Sequence, residues 1–538
     1  MGYVTIGYTY KLYRDKEIFM EGLLDDLGNF IEQMEAVDSY INSIDEIMGS
    51  TFQLKVILNE EEQSILDSFN LLNLMYIEMK ENEARFIDNL KNINEKSNGR
   101  LFNELGKPEE GAPDELLKKL LKMISSEERG VLFELSEDDS ISLSLKDSKM
   151  RSKIEIYLEE SRKRTRQRHL LFETSLITIS NAFESLHSKL ISFIIVNSSS
   201  SKINDKQLSF EQIIELSSLE EAKEYLIEKS VEDVMRGSQI TWLKYIGKNT
   251  FKEFFKELVD EDEEKFKEFF LRRNLIIHNN AVINKRYLNS IKKISDEKKA
   301  FLVGKKISVS LEYLEENMNI IFLISIKSVF YVVKKFFPTQ FNIFFKKFHN
   351  IAFNYLKSEK YEIAYSVFDM LWKDASKIDA SNKLLLTVNY LQSLKWTGNL
   401  KRMEQIRKSE DFSLAKNEHL MCLALIDDNF KVAIDILEKL IAETSQSGKD
   451  DVALVNEYLT WPIFKEFIET TELNEFLKSK GYIEIKNQKE IIDEKTTVCH
   501  NKKRAVKYKS NFEVRKSVSS KIRRYRTEAN KSYSYFFR

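Results

Sequence analysis

Cysteine, proline, glycine and histidine are all scarce in this 538-residue chain, at 2, 4, 15 and 6 residues. Two cysteines, Cys422 and Cys499, cannot build a disulfide framework or a zinc set. Cys422 lies in an apolar helical run and reads as a core residue. Cys499-His500 is an isolated pair with too few ligands for a metal. With so few turn formers, and with Leu, Ile, Glu and Lys abundant, the composition predicts a mainly all-α chain. Charge of one sign is missing too: 83 Lys and Arg stand against 85 Asp and Glu, so no global field recruits nucleic acid. Met1 to Arg14 has no apolar core of signal-peptide length. The longest apolar run, Asn319 to Phe337, is interrupted by Lys327 and Lys334-Lys335. A mid-span lysine is costly in a bilayer, so the expectation is a buried helix ending at Pro338. No membrane partner and a reducing cytoplasm follow as expectations.

What is present fills several cores. The hydrophobic share is 42%, and the length suits two to four domains. Residues 1–150 read as a mainly helical N-terminal region that shows no chemistry. Its apolar spacing runs through Ile18, Phe19, Leu23, Leu24, Leu27, Phe30, Ile31 and Met34. A polar break follows at Lys107 to Pro113, and Asp114 can cap a helix over Glu115 to Ile124. Val131, Phe133, Leu135 and then Ile141, Leu143, Leu145 alternate as two short strands of a β-hairpin near 130–145. Residues 151–338 read as a helical-bundle domain. Its opening stretch, Arg151 to Arg168, is basic and is most simply a solvated helix face. A long helix follows from His169 to Val196.

Residues 339–485 change pattern. Phe348, Ile351, Ala352, Tyr355, Ala364 and Phe368 fall at the spacing of a tetratricopeptide-like helix pair, and Leu420, Met421, Ala424, Ala433 and Leu437 repeat it. Ala364 and Ala433 lie 69 residues apart, about two periods of ~34 residues. Such an α-α array holds a protein trigger or regulator in a concave groove, or serves only as a structural layer. Residues 486–538 form a basic tail. From Cys499 to Arg538 it carries thirteen Lys or Arg and two Glu, interleaved with tyrosine and phenylalanine. Lys502, Lys503, Arg504, Arg523, Arg524 and Arg526 suit RNA phosphates, and the aromatics suit stacking on unpaired bases. A polycationic tail without a specific partner is the plainer alternative.

The chemistry-bearing stretch is Arg272-Arg273-Asn274-Leu275-Ile276-Ile277-His278-Asn279. On a helix Asn274 and His278 are i,i+4 neighbours on one face. Arg273 lies about 140° from His278 around the axis, and its long side chain can reach back. A guanidinium, an amide and an imidazole would then converge on one small volume. Arg272 and Asn279 flank them as further RNA contacts. Asn279-Asn280 is the expected helix end, since Asn tolerates left-handed backbone.

These residues resemble the signature of the HEPN superfamily (higher eukaryotes and prokaryotes nucleotide-binding). Its ribonuclease members carry an Arg, a polar residue, a short spacer and a His. The match is Arg273, Asn274 and His278, extended by Asn279, Val282-Ile283-Asn284 and Tyr287. Upstream, Ile177 to Glu184 resembles the first family helix, whose acidic residue would be Glu184. The resemblance covers roughly Arg166 to Phe337. It implies a metal-independent, cofactor-free endoribonuclease in which the 2′-hydroxyl attacks its own phosphodiester. His278 would move protons, Arg273 would stabilise charge, Asn274 would orient the imidazole or hold a phosphate oxygen, and Glu184 would position Arg273 by an ion pair. One motif supplies one His, so a homodimer through this domain is implied. A nuclease joined to a sensor-like array and a basic tail is similar in layout to abortive-infection, anti-phage effectors. The alternative is a non-catalytic scaffold of the same layout that binds protein or nucleotide.

Overall fold

The computed structural model describes residues 16–51, 58–81, 113–135, 141–198, 218–251, 262–291, 303–413, 415–446 and 450–482, with a few single positions between them. It is mainly helical with one two-stranded sheet. Two compact units divide the chain: Met1–Asp45 with Arg168–Ile485, and Glu46–Gln167 with Lys486–Arg538. The divisions fall inside helices α1 (Lys16–Thr51) and α4 (Ser148–Asn197). Neither Gly nor Pro occurs between Ser148 and Asn197, so the backbone ladder has no reason to break where the composition turns from basic to apolar. The basic stretch and the following helix are therefore one element. Arg162, Lys163, Arg166 and Arg168 are exposed on it, and Lys163 pairs with Glu159 at 2.8 Å.

The smaller unit joins α2 (Glu60–Glu81), α3 (Pro113–Ile124), β1 (Val131–Leu135), β2 (Ile141–Leu145) and the first part of α4. Asn59 and Glu62 start α2 with reciprocal bonds: Asn59 N–H donates to Glu62 Oε2 at 2.7 Å, and Glu62 N–H donates to Asn59 Oδ1 at 2.8 Å. This satisfies two donors that the first turn would otherwise leave open. The strands pair antiparallel with Val131 opposite Leu145, Phe133 opposite Leu143 and Leu135 opposite Ile141. The alternation read in the sequence thus sets the register. Val131, Phe133 and Ile141 are buried with Leu116, Leu117 and Leu120 of α3. The turn residues Glu137 to Ser140 lie outside the described residues.

In the larger unit the second part of α4 is the central support. Leu176, Ile179, Phe183, Leu186, Leu190 and Ile194 are all buried and recur every three or four residues, giving one apolar stripe. Around Phe183 sit Trp242 of α6 (Gln239–Asn249) and Phe266 and Phe270 of α7 (Glu263–Asn279), with ring centroids 6.4, 5.4 and 5.3 Å away. His187 stacks on Phe183 at 3.8 Å. The apolar run expected as a buried helix is α9 (Leu311–Phe336), followed at once by a 3₁₀ turn from Pro338. Among the described residues no helix is long and apolar enough to cross a membrane.

Beyond Pro338 three helix pairs follow: α10 (Phe341–Lys357) with α11 (Tyr361–Trp372), α12 (Ala380–Trp396) with α13 (Leu400–Ser409), and α14 (Asn417–Ile426) with α15 (Phe430–Gln446). Their turns repeat one backbone pattern. Glu359, Gly398 and Asp428 take φ of 61°, 73° and 55°. The residue after each donates its N–H five residues back: Lys360 to Tyr355, Asn399 to Leu394, and Asn429 to Ala424. This 6→1 bond and left-handed residue are the features of a Schellman end. Ala352, Ala364 and Ala433 are fully buried, as expected where small side chains let helices approach. Cys422 is buried on α14, and burial pushes its thiol up to about 12. Residues 483–538, with Cys499 and the whole basic tail, lie outside the described residues.

Candidate active site on helix α7

Helix α7 carries two adjacent arginines into different surroundings. Arg272 is buried, 7% exposed. Its Nε donates to Glu268 Oε1 at 2.7 Å and its Nη1 to the Ser308 carbonyl at 3.0 Å. The guanidinium lies 3.7 Å from the centre of the Tyr313 ring. Glu268 also accepts from the hydroxyls of Tyr313, at 2.6 Å, and Tyr287. A buried carboxylate with three donors and a buried cation with carboxylate, carbonyl and ring partners are mutually satisfied. Burial, together with the Glu268 charge, raises the phenols of Tyr287 and Tyr313. The network ties α7 to α8 (Lys285–Ser290), which carries Tyr287, and to α9. Arg272, read from the sequence as an RNA contact, instead points into the core, because Glu268 sits one turn back on the same face. Glu268 and Tyr313 were missed in the sequence. Their signal is the i,i+4 spacing of Glu268 and Arg272, which looks like any solvated helix pair until burial is known.

Arg273 turns the other way. Its side chain is 21% exposed and its Nη2 lies 3.7 Å from Glu184 Oε2 on α4. Its Nη1 donates to Asn274 Oδ1 at 3.2 Å, and its Nε is buried without a hydrogen-bond partner. At 3.7 Å the carboxylate attracts the guanidinium without a proper hydrogen bond. The buried Nε is closed to an incoming group, but Nη1 and Nη2 keep N–H capacity beyond these contacts that an anionic oxygen would fill. Glu184 is held from its other oxygen: Ser180 Oγ and Gln239 Nε2 donate to Oε1 at 3.4 and 3.3 Å. Asn274 is exposed. A guanidinium can only donate, so the amide oxygen of Asn274 faces Arg273 and its NH₂ is left as an outward donor.

His278 is exposed, one turn beyond Asn274 on the same face, with Ile277, 43% exposed, beside it. It makes no hydrogen bond or ion pair with the described residues. The structure therefore brings Glu184, Arg273 and Asn274 into contact, and leaves His278 reachable from solvent. Asn279 is exposed, but its Nδ2 donates to the Val282 carbonyl, so its amide closes the turn. Asn280 ends the helix with φ 50° and ψ 40°. Ala281 follows with φ 60°. An antiparallel bridge between Val282 and Lys306 and the Ile307 N–H to Ala281 carbonyl bond of 2.8 Å fasten this corner. Asn284 caps α8 by accepting the Tyr287 N–H at 2.8 Å.

A cleft of about 400 Å³ lies elsewhere in the larger unit, lined by Asp38, Glu315, Lys360, Tyr361 and Trp396 among others. Arg273, Asn274 and His278 do not line it, and Asn274 and His278 are exposed. Lys502, Lys503, Arg504, Arg523, Arg524 and Arg526, assigned to RNA from the sequence, lie outside the described residues. In comparisons with known proteins, no family model, no curated protein and no solved structure matches this chain.

Proposed function

We propose that this chain is an endoribonuclease that cuts RNA without a metal, by attack of the 2′-hydroxyl on the adjacent phosphodiester. The products are a 2′,3′-cyclic phosphate and a 5′-hydroxyl. The observation that carries the reading is the state of Arg273. It is a partly buried guanidinium with a loose ion pair, one hydrogen bond and an unpartnered Nε, set on a helix surface that also presents the Asn274 NH₂ and His278. The guanidinium and the Asn274 NH₂ are donors for a phosphate, and an imidazole can both accept and deliver a proton. Exposed side chains such as Asn274 and His278 suit a polymer better than a small metabolite, which takes an enclosed pocket. The resemblance of Arg273, Asn274, His278 and Glu184 to the HEPN ribonuclease signature supports the same assignment. One motif histidine per chain is one group short of an acid and a base, so two copies acting face to face complete the reaction. An anti-phage effector that cuts host RNA fits a nuclease joined to helix pairs able to hold a protein trigger.

His278→Ala and Arg273→Ala are each expected to lower RNA cleavage by about 10²–10⁴. Circular dichroism should show the fold intact in both variants, one at the exposed His278 and one at the partly buried Arg273. EDTA should leave the wild type unaffected, and sedimentation should find a dimer. Undiminished cleavage by His278→Ala protein overturns the assignment. A second reading, a binding module without catalysis, is favoured because no partner among the described residues orients His278. It predicts RNA binding by the wild type with no cleavage ends in sequenced RNA.

A further inference from the structure

We infer that Gln239 is a positioning residue for Arg273, acting through Glu184; the inference rests on the site proposed above. The two oxygens of Glu184 face different partners. Oε1 receives Gln239 Nε2 at 3.3 Å and Ser180 Oγ at 3.4 Å. Oε2 alone is turned to Arg273 Nη2, 3.7 Å away. A carboxylate is free to rotate about its last bond, so what faces Arg273 depends on what holds the far oxygen. Ser180 is on the same helix as Glu184, one turn back, and moves with it. Gln239 is the anchor from a different element.

The local backbone makes Gln239 a firm anchor. It is the first residue of α6, directly after the N-cap Ser238, whose Oγ accepts the Thr241 N–H at 3.4 Å and bonds the Thr241 hydroxyl at 3.0 Å. The turn before it is tight. A Cβ on Gly237 would meet Thr241 side-chain carbons at 3.0 Å and the Val234 carbonyl oxygen at 3.2 Å. Gly237 therefore lets the chain enter α6 with Gln239 aimed at α4. The amide is neutral and donates one bond, so it orients Glu184 without taking the ion pair away from Arg273. A lysine or arginine there would compete for the carboxylate, and a carboxylate would repel it. The arrangement runs from a tight turn, to an amide, to a carboxylate, to the guanidinium that meets the phosphate.

The test compares wild type, Gln239→Met, Glu184→Gln and the double variant as full-length protein. Methionine keeps the length of glutamine and removes the donor. Gln239→Met is expected to lower kcat for RNA cleavage about 10-fold, with KM moved less than twofold, because it displaces a group that acts in the transition state. In the Glu184→Gln background the same change should have no further effect, since Gln239 acts only through that carboxylate. A residue with a merely structural role would give additive losses. A second readout needs no activity: the Nε–H resonance of Arg273 in ¹⁵N-arginine-labelled protein, assigned by its loss in Arg273→Lys. It should shift in Gln239→Met and not shift further in the double variant. If wild type cuts no RNA, the ribonuclease reading fails while this resonance still decides the role of Gln239. An unchanged Arg273 resonance in folded Gln239→Met protein, or additive losses of kcat, overturns the inference.

Discussion

Single residues in the larger unit set its response to pH. His187 is fully buried, with Nδ1 2.9 Å from the Phe183 carbonyl and Nε2 3.1 Å from Ser328 Oγ. Burial, opposed only by the Phe183 bond, lowers it to about 3. His349 is buried against Asn389, and burial lowers it to about 4. Both are neutral in the folded protein, while in the unfolded chain each titrates near its reference of ~6.5. The unfolded state binds more protons below ~6.5, so stability is full above that value and is lost as pH falls toward 4 for His349 and 3 for His187. Each histidine contributes a slope of about 1.4 kcal/mol per pH unit in that window. Urea midpoints for the larger unit should therefore drop steeply between pH 6.5 and 5, before most carboxylates protonate. His187→Phe should remove about half of that slope, whatever it does to the absolute stability. A flat wild-type profile over the same range would contradict neutral burial of both rings. Neither histidine was picked out in the sequence. Nothing in Phe183 to His187 distinguishes a core imidazole from a surface one until the helix face is known.

At the scale of elements, the repeated turn of the helix pairs makes a second measurable claim. Gly398 has φ 73°, and an added Cβ would meet nothing within 4 Å. Gly398→Ala thus isolates the cost of the left-handed backbone, about 1 kcal/mol. Glu359 occupies the same place in its own turn with φ 61°. Glu359→Gly should gain about 0.5 kcal/mol, since relief of the backbone exceeds the added freedom of the unfolded chain. It would forfeit the ion pair to Lys465 at 2.8 Å, whose side chains are 47% and 60% exposed and which is worth little. Opposite signs for the two substitutions, read as shifts in chemical-denaturation midpoints, are the expected outcome. Elements were the most legible level of this sequence. The strand alternation from Val131 to Leu145, the helix end at Asn280 and the buried helix closing before Pro338 all follow from local chemistry. The junction of basic and apolar segments near Arg168 was not legible as continuous helix, because composition changes there while the backbone does not. The site was legible in part. Spacing puts Asn274 and His278 on one face, but only the packing of α7 shows that Arg272 goes inward to Glu268 while Arg273 goes outward to Glu184. Gln239 could not be found from sequence at all, since it reaches Glu184 across 55 residues.

For the whole molecule the near balance of charge, −2 overall, conceals a strong local excess. The thirteen Lys or Arg of Cys499 to Arg538 are opposed by only two Glu. If this tail engages the RNA that Arg273 and His278 are proposed to cut, its phosphate contacts release counterions. Each contact to single-stranded RNA then adds about 0.7 to the slope of log affinity against log salt. Thirteen contacts are the ceiling, and a tail bound in several ways uses fewer. Deleting residues 499–538 should therefore weaken RNA binding at low salt and flatten the salt dependence, while binding at high salt converges with that of the full chain. The residues proposed to do the chemistry are all kept in the truncated protein, so it should still cut a short RNA when enzyme is in excess, and its single-turnover rate at saturation should match the full-length value. Fluorescence anisotropy across a salt series, paired with single-turnover cleavage, separates the two roles. Equal affinity and equal slope for the two proteins would remove RNA from the account of the tail. A reduced saturating rate would instead place the tail in the chemical step.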